Sequence, residues 1–315
     1  MTTSWITGAH GFIGRHLSRH FSQVGHRVCG IGHGAWPSLE ARKWGLDYWL
    51  GGEIDGTNLS EMLARYGAPD CIVHLAGGAS VGFSIEHPQE DFRRSVETSA
   101  RLLDWIRTHT PRCLVICVSS AAVYGANHQG PIEESALPSP YSPYGFHKTM
   151  LEMLCQSYLF NYGMRIAIIR LFSVYGAGLE KQLLWDLCCK LQSDPSQVTL
   201  GGTGRELRDW IHVLDVARLI ETVAKSATGA SLVVNGGSGV GVTVEEIAQL
   251  VRARWGGKSQ LVFSGVRRAG DPDALIADVD VARRMGYTPN ISLQQGLDEF
   301  VTWFKARTSG VAFTL

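Results

Sequence analysis

The sequence predicts an α/β protein: a doubly wound, parallel sheet with a smaller domain interleaved into it. Three observations point there. Short, continuous apolar runs recur along the first two thirds of the chain, amphipathic stretches of helical spacing separate them, and a glycine-rich turn joins the first run to the first such stretch. Apolar runs without alternation mark strands buried on both faces, as in a parallel sheet covered by helices.

The elements follow in order. "SWIT" is the first strand. "GFIGRHLSRHFSQVGH" sets Ile13, Leu17, Phe21 and Val24 on one helical face and stops at Gly25. "RVCGIG" is the second strand, and "LDYWLGG", "CIVHLAGG", "CLVICVSS" and "RIAIIRLFS" continue the sheet. Helical patterns cover residues 87–109 and about 143–162, the second closed by Gly163. Residues 174–210 are loop-rich around one helix, "KQLLWDLCCKLQ". "LRDWIHVLDVARLIETVAK" reads as a helix, "SLVVNGG" as one more strand of the sheet, and further helices fall near 243–255 and 293–307.

Composition narrows the class. The 315 residues are 45% hydrophobic and 18% charged with a formal net charge of zero, so nothing favours a nucleic-acid backbone or an anionic membrane as partner. No run approaches the 18 apolar residues of a membrane span, and the first residues run straight into a strand without the pattern of a secretory signal. The seven cysteines are scattered without a Cys-x-x-Cys pair, which suits reduced thiols in the cytoplasm, and the eleven histidines show no ligand spacing, so no metal is expected.

The turn "TGAHGFIG" places Gly8, Gly11 and Gly14 between the first strand and the first helix. Glycine lets the backbone take positive φ and lets a pyrophosphate come close, and the helix N-terminus adds free N–H groups and a favourable dipole. At this spacing, Gly-x-x-Gly-x-x-Gly rather than the commoner Gly-x-Gly-x-x-Gly, it is expected to be the phosphate-binding turn of a dinucleotide fold, the alternative being a purely structural turn. Residues 1–172 and 208–238 are therefore expected to form the dinucleotide-binding domain, and 173–207 and 239–315 the substrate-binding one. A second signal is Tyr144 with Lys148 four residues on, which puts both side chains on one face of a helix. Nine tyrosines and seven lysines give about 0.2 such pairs by chance, and Tyr141, in the preceding Ser-Pro-Tyr triplet, has Gly145 at that spacing.

Seven motifs occur in order: "TGAHGFIG", "CIVHLAG", "VSSAAVYG", "SPYGFHK", "RLFSVYGAG", "RDWIHVLDVA" and "RRAGDP". Together, over residues 3 to about 305, the chain resembles the extended short-chain dehydrogenase/reductases of Rossmann type that act on nucleotide sugars, the NAD-dependent epimerase/dehydratase group. The resemblance implies Tyr144 as acid/base, Lys148 as the cation beside it and a hydrogen-bonding partner of the nicotinamide ribose, and Ser120 as a hydrogen-bond partner of the reacting sugar oxygen. A free phenol, with a pKa near 10, is a poor base at neutral pH, and nearby positive charge makes the phenolate accessible. The resemblance further implies cofactor contacts from Gly8, His10, Gly11, Phe12, Ile13, Gly14, His33, Glu53, Ile54, Leu75, Ala76, Gly77 and Leu171. It implies substrate contacts from Ser80, Ser173, Gln182, Arg208, Arg268 and Asp271, the arginines gripping a diphosphate and Asp271 a nucleoside ribose. Relatives often carry Asn where this chain has Ser173. They also commonly form homodimers through a four-helix bundle, and Phe92, Val96, Leu102, Leu103 and Ile106 offer apolar surface for it.

The reaction expected is epimerisation of a sugar hydroxyl at C4 through a keto intermediate. The alternative is NADPH-dependent reduction of a nucleotide-linked 4-keto sugar, and a more distant one is a non-catalytic dinucleotide sensor. Dehydration is set aside, because Ala121 and Ala122 stand where the dehydratases carry Asp-Glu. The cofactor expected is NADP(H), with NAD(H) the other option. An NAD-preferring strand ends in an acid that binds the adenosine ribose, whereas this one ends in Gly32, followed by His33, and His10 stands where some NADP-using relatives place an arginine.

Overall fold

The computed structural model describes residues 1–193, 196–227, 232–256, 258–266 and 271–309. The chain opens with β1 (Thr3–Thr7), α1 (Phe12–Gln23), β2 (Arg27–Gly32), α2 (Ser38–Lys43), β3 (Tyr48–Gly51), α3 (Gly56–Tyr66) and β4 (Cys71–His74). Two short helices, α4 (Val81–Glu86) and α5 (Pro88–Phe92), lead through a π-helical turn, Arg93–Glu97, into α6 (Thr98–His109). The helix expected over 87–109 is thus present but carries a wide turn in its first half, a feature common at functional sites. Then come β5 (Leu114–Ser120), a single 3₁₀ turn at Ala121–Val123, β6 (Pro131–Ile132), α7 (Pro143–Tyr162), β7 (Arg165–Leu171) and β8 (Ser173–Tyr175). The remainder runs α8 (Gln182–Ser193), β9 (Gln197–Leu200), β10 (Leu207–His212), α9 (Val213–Ser226), β11 (Leu232–Gly236), β12 (Gly241–Thr243), α10 (Val244–Trp255), β13 (Gln260–Phe263), β14 (Ala274–Ala277), α11 (Asp280–Arg284) and α12 (Leu293–Thr308).

Seven strands form one parallel sheet in the order β11-β7-β5-β4-β1-β2-β3. The order reverses between β1 and β4, and that crevice is where doubly wound folds take their ligand. Two apolar layers cover the sheet. Ile6, Leu17, Phe21, Val73, Ile116 and Leu219 pack with α1 and α9 on one face, and Trp5, Ile31, Ile72, Leu102, Ile106 and Leu151 pack with α3, α6 and α7 on the other. At roughly 25 cal/mol per Å² of apolar surface withdrawn from water, these layers are the main favourable contribution to the fold.

The smaller sheet has the order β12-β10-β14-β6, with β8 also paired to β10, and a β9–β13 pair stands apart. Two sequence expectations change here. "LRDWIH" is a strand rather than the start of a helix, which begins only at Val213. The domain division expected at 207/208 falls inside β10, which pairs in the smaller sheet, while α9 returns to pack on α1 of the larger one. Asn235, at the end of β11, ties the sheets together. Its side-chain carbonyl accepts from Tyr124 Oη at 2.6 Å, its amide donates to Ile132 O at 2.7 Å and Asp278 O at 3.0 Å, and its backbone N–H donates to Glu134 at 2.8 Å.

Candidate active site

The glycine turn closes over the exit of β1. A Cβ at Gly14 would meet the carbonyl oxygen of Gly8 and lie 2.6 Å from Ala9 Cα, so α1 begins directly on the turn's backbone. Gly8 has φ +71°, and a Cβ there would lie 3.0 Å from Ala76 N, so this turn abuts the exit of β4. No side chain caps α1, whose N-cap is Gly11, and its first-turn amides remain available to an anion. Such a backbone cradle, closed to any side chain, fits a pyrophosphate.

Ser120 ends β5, and its hydroxyl accepts from Ala122 N at 3.2 Å. α7 starts beside it. Ser142 caps the helix by accepting from Gly145 N at 3.2 Å, Pro143 supplies the first turn, and Gly163 ends the helix in the left-handed conformation. Gly145 is required at that position, since a Cβ would lie 2.7 Å from Ala122 O. This close seating puts Tyr144 within hydrogen-bonding reach of Ser120. Lys148 Nζ lies 5.8 Å from the centre of the Tyr144 ring and donates to Val118 O at 3.1 Å. A Cβ on Gly77 would lie 3.5 Å from that ammonium. The structure therefore brings together Ser120, Tyr144, Lys148, Gly77, Ala76 and Gly8.

The electrostatics differ from the simple expectation of a lowered phenol pKa. Burial pushes the Tyr144 phenol up, the bond to Ser120 lowers it, and the charge of Asp91 raises it again. Burial also pushes the Lys148 ammonium down, opposed first by Asp91. In the protein alone burial opposes the phenolate, and a further positive charge at the site would favour it.

The surroundings of Gly32, His10 and His33 differ from the sequence expectation. Gly32 ends β2 under the indole of Trp49, and a Cβ there would lie 3.3 Å from Trp49 Cη2 and 3.4 Å from Gly8 Cα, so an indole fills the place of the missing acid. His10 stacks on Trp36 with ring centroids 4.6 Å apart and bonds the backbone of His33. Burial, followed by the charge of Arg15, lowers its pKa. Burial and Arg15 thus both oppose a positive charge on His10. His33 is exposed, with Nε2 3.9 Å from Glu53, a carboxylate supplied by the end of β3 instead of β2. A cleft of about 620 Å³ opens here, lined by His33, Gly34, Trp36, Trp49 and Gly52 among others.

The remaining expected residues are scattered more widely. Phe12 and Ile13 open α1. Ile54 and Leu171 are buried in the core, which leaves backbone groups as what they could offer a ligand, and Leu75 N–H donates to Thr7 O at 3.2 Å. Ser80 caps α4, accepting from Phe83 N at 3.4 Å. Ser173 pairs with Trp210 in the strand register, and Gln182 opens α8 with φ +69°, a strained value for a residue with a side chain. Arg208 Nη1 donates to Leu207 O at 2.8 Å and Pro272 O at 2.9 Å, with Asp271 and Tyr141 close enough to raise its pKa against burial. Tyr141, which has no lysine at helical spacing, stands in the Arg208–Asp271 group, whereas Arg268 lies outside the described residues. Among the described residues no group of three His, Cys, Asp or Glu could hold a metal ion, and no helix is long and apolar enough to cross a membrane.

Sequence reasoning missed Asp91, Trp36 and Trp49. The one available signal was His147, an unusual imidazole inside the Tyr-x-x-x-Lys spacing.

The fold and site define a dinucleotide-binding, short-chain type dehydrogenase architecture. The chain belongs to the NAD dependent epimerase/dehydratase family, whose model matches residues 5–236. It is 28% identical to the UDP-glucose 4-epimerase of Azospirillum brasilense over 312 residues, covering 93% of this chain and 88% of that one. The solved UDP-glucose 4-epimerase of Thermotoga maritima, with UDP-glucose, is similar at TM-score 0.87 and 26% identity, covering 98% of this chain and 100% of that one. The UDP-glucuronic acid 4-epimerase of Bacillus cereus, with UDP-glucuronic acid and NAD, is similar at TM-score 0.87 and 26% identity, covering 97% and 100%.

Proposed function

We infer that this chain is a nucleotide-diphosphate sugar 4-epimerase that works with a nicotinamide dinucleotide, and that the dinucleotide is NAD. The observation that carries the reading is the seating of α7 on the turn after β5, which sets Tyr144 against Ser120 with Lys148 behind. When bound, the dinucleotide supplies a hydride acceptor that becomes the donor of the return step, and its positive ring is the further charge that favours the Tyr144 phenolate. Tyr144 Oη takes the proton of the sugar's 4-hydroxyl as C4 is oxidised and returns it as C4 is reduced from the other face. Ser120 Oγ holds the sugar oxygen in line, and Lys148 holds the cofactor ribose. Removing a group of this kind costs about 10²–10⁴ in rate.

NAD is supported by the stacked His10, whose positive charge burial and Arg15 oppose, and by the NAD held in the Bacillus cereus enzyme. The reductase alternative drew its weight from NADPH and loses it with that argument. Arg208 and Asp271, with Tyr141, are the proposed grip on the nucleotide, and the smaller sheet with α8, α10 and α12 the proposed sugar half. UDP-sugars are the proposed substrates, as for the three relatives.

The proposed assembly is a homodimer. Of the residues expected to supply its surface, Leu102, Leu103 and Ile106 are buried in the core, and Phe92 and Val96 are half-buried. The support comes from α7, where Phe146, Met150, Met153 and Phe160 are exposed along one stripe, with Ile85 of α4 also exposed. Reduced, free cysteines, six of the seven buried, suit the proposed cytoplasmic setting. The test is chromatography of UDP-glucose, UDP-glucuronic acid and UDP-N-acetylglucosamine after incubation with enzyme and NAD or NADP, and of a UDP-4-keto sugar with enzyme and NADPH. A 4-epimer formed with NAD and no stoichiometric reduced cofactor is expected. Turnover only with NADPH and a keto sugar would overturn the reading.

A further inference from the structure

The catalytic lysine has a buried environment that the proposed reaction does not by itself require. Lys148 makes one hydrogen bond among the described residues, to Val118 O at 3.1 Å. A buried ammonium with so few acceptors needs an opposite charge nearby. Two carboxylates are candidates. Glu152, one turn along α7, is held by Arg170 at 3.0 and 2.7 Å, so its charge is already matched. Asp91, on α5, is fully buried, and its Oδ2 lies 2.6 Å from Nδ1 of His147. Its second oxygen, Oδ1, has no partner.

Two successive glycines border these groups, Gly78 beside Asp91 and Gly77 beside Lys148. A Cβ on Gly78 would lie 2.8 Å from Asp91 Cγ and 3.1 Å from Ser95 Oγ, and one on Gly77 would lie 3.5 Å from Lys148 Nζ. Gly78 N–H donates to Ser95 Oγ at 2.9 Å, from the π-helical turn that follows α5. A side chain on Gly78 would collide with the Asp91 carboxylate, and one on Gly77 would crowd the Lys148 ammonium.

We propose that Asp91 is the buried counter-charge of Lys148, and that His147 is a positioning residue that fixes the Asp91 carboxylate against the Gly77–Gly78 turn. The inference rests on the reading of Lys148 as a cofactor-binding, catalytic cation. The other groups facing this cluster do not supply the charge. His74 of β4 is kept neutral by burial, its pKa lowered to about 3. The thiol of Cys155 on α7 is pushed well above its ordinary value by its bond to Cys117 of β5 and by burial. The Tyr144 phenol is pushed up by burial and by the charge of Asp91, so it supplies no negative charge. Glu86 and His87 are exposed at the end of α4, and Glu90 pairs outward with Arg93 and Arg94. Asp91 holds up the affinity of Lys148 for its proton against burial, and does the same for Tyr144. Without it, both groups release protons at lower pH.

The experiment is NADH binding by fluorescence from pH 6.5 to 9.5, which needs no turnover, for the wild type and for Asp91→Asn, His147→Gln, His147→Leu and Lys148→Met. The wild type is expected to bind with nearly constant affinity to pH 9. Asp91→Asn is expected to match it at pH 6.5 and fall about tenfold toward the Lys148→Met level by pH 9. His147→Gln, which keeps a donor for Asp91, should follow the wild type, and His147→Leu should fall with Asp91→Asn. A folded Asp91→Asn variant with the wild-type pH profile overturns the proposal. Should Asp91→Asn not fold, coincident profiles for the two His147 variants overturn it instead. A wild type that binds NADH but converts no UDP-sugar defeats the epimerase reading alone and leaves this binding test intact.

Discussion

Replacing Gly14 with alanine tests the cradle at its tightest point. The new Cβ would meet the Gly8 carbonyl oxygen and lie 2.6 Å from Ala9 Cα and 2.8 Å from Ala9 C, all backbone atoms that no rotamer change can move. Ordinary contact distances for such atoms are about 3.5 Å, so α1 must shift by nearly 1 Å from the turn. Overpacking of this kind costs about 1–3 kcal/mol. The same shift carries the first-turn amides away from the pyrophosphate position, and we expect NAD affinity to fall at least tenfold. Gly11→Ala is the graded control, because its Cβ would meet one atom, Gly8 O, at 3.1 Å. Gly25→Ala is the second, with φ +86° but nothing within 4 Å, so only backbone strain of about 1 kcal/mol is added and the cofactor is untouched. Urea unfolding and fluorescence titration of NADH together rank the three. Gly14→Ala binding within threefold of the wild type, with an unchanged unfolding midpoint, would refute the reasoning.

Other outcomes follow from the same geometry. Tyr144→Phe should keep the fold and cofactor affinity while turnover of a UDP-sugar falls by about 10²–10⁴, read by chromatography of the epimers. Met153→Asp in the exposed stripe of α7 should give a monomer by light scattering with a normal circular dichroism spectrum. Stability should fall below neutral pH. His16 and His74 are buried neutral, with pKa values lowered to about 4 and about 3, so the unfolded chain binds protons more readily from about pH 6.5 downward. Their stabilising share is complete above that pH and is lost as pH falls through the folded values. At pH 5 each should already have lost about 2 kcal/mol, read from urea midpoints, and His16→Gln should remove its part of the slope.

The parallel sheet was legible because Ile72, Val115 and Ile168 sit in runs buried on both faces, and such runs need no partner to be recognised. Tyr144 and Lys148 were legible for a related reason, since one helical turn relates them. The smaller sheet was not. β8, β12 and β14 are three or four residues long, too short to set up an alternation, and β10 runs straight into the stronger helical pattern of α9. Asp91 reads as one more polar residue of an amphipathic stretch, "PQEDFRR", and only the fold brings it to His147, 56 positions away. The absence of an acid at Gly32 was visible, but the indole that takes its place comes from the neighbouring strand. Leu102, Leu103 and Ile106 were correctly read as apolar and wrongly turned outward, because periodicity defines a face without saying which neighbour it meets.

The junction at Asn235 bears on how a sugar can be turned over inside the cleft. To return hydride to the opposite face of C4, the ring must turn one face toward the nicotinamide for its oxidation and the other face for its reduction. A hinged pair of lobes could open to let the ring swing and close again. Here four hydrogen bonds from one buried residue lock the last strand of the large sheet to Tyr124, Ile132, Glu134 and Asp278. Opening the lobes would strip that amide of its partners, at about 1–3 kcal/mol for each group left unmet. The room for rotation has to be built in beforehand, so the volume of the cleft, and not a motion, decides how large a sugar this frame can invert.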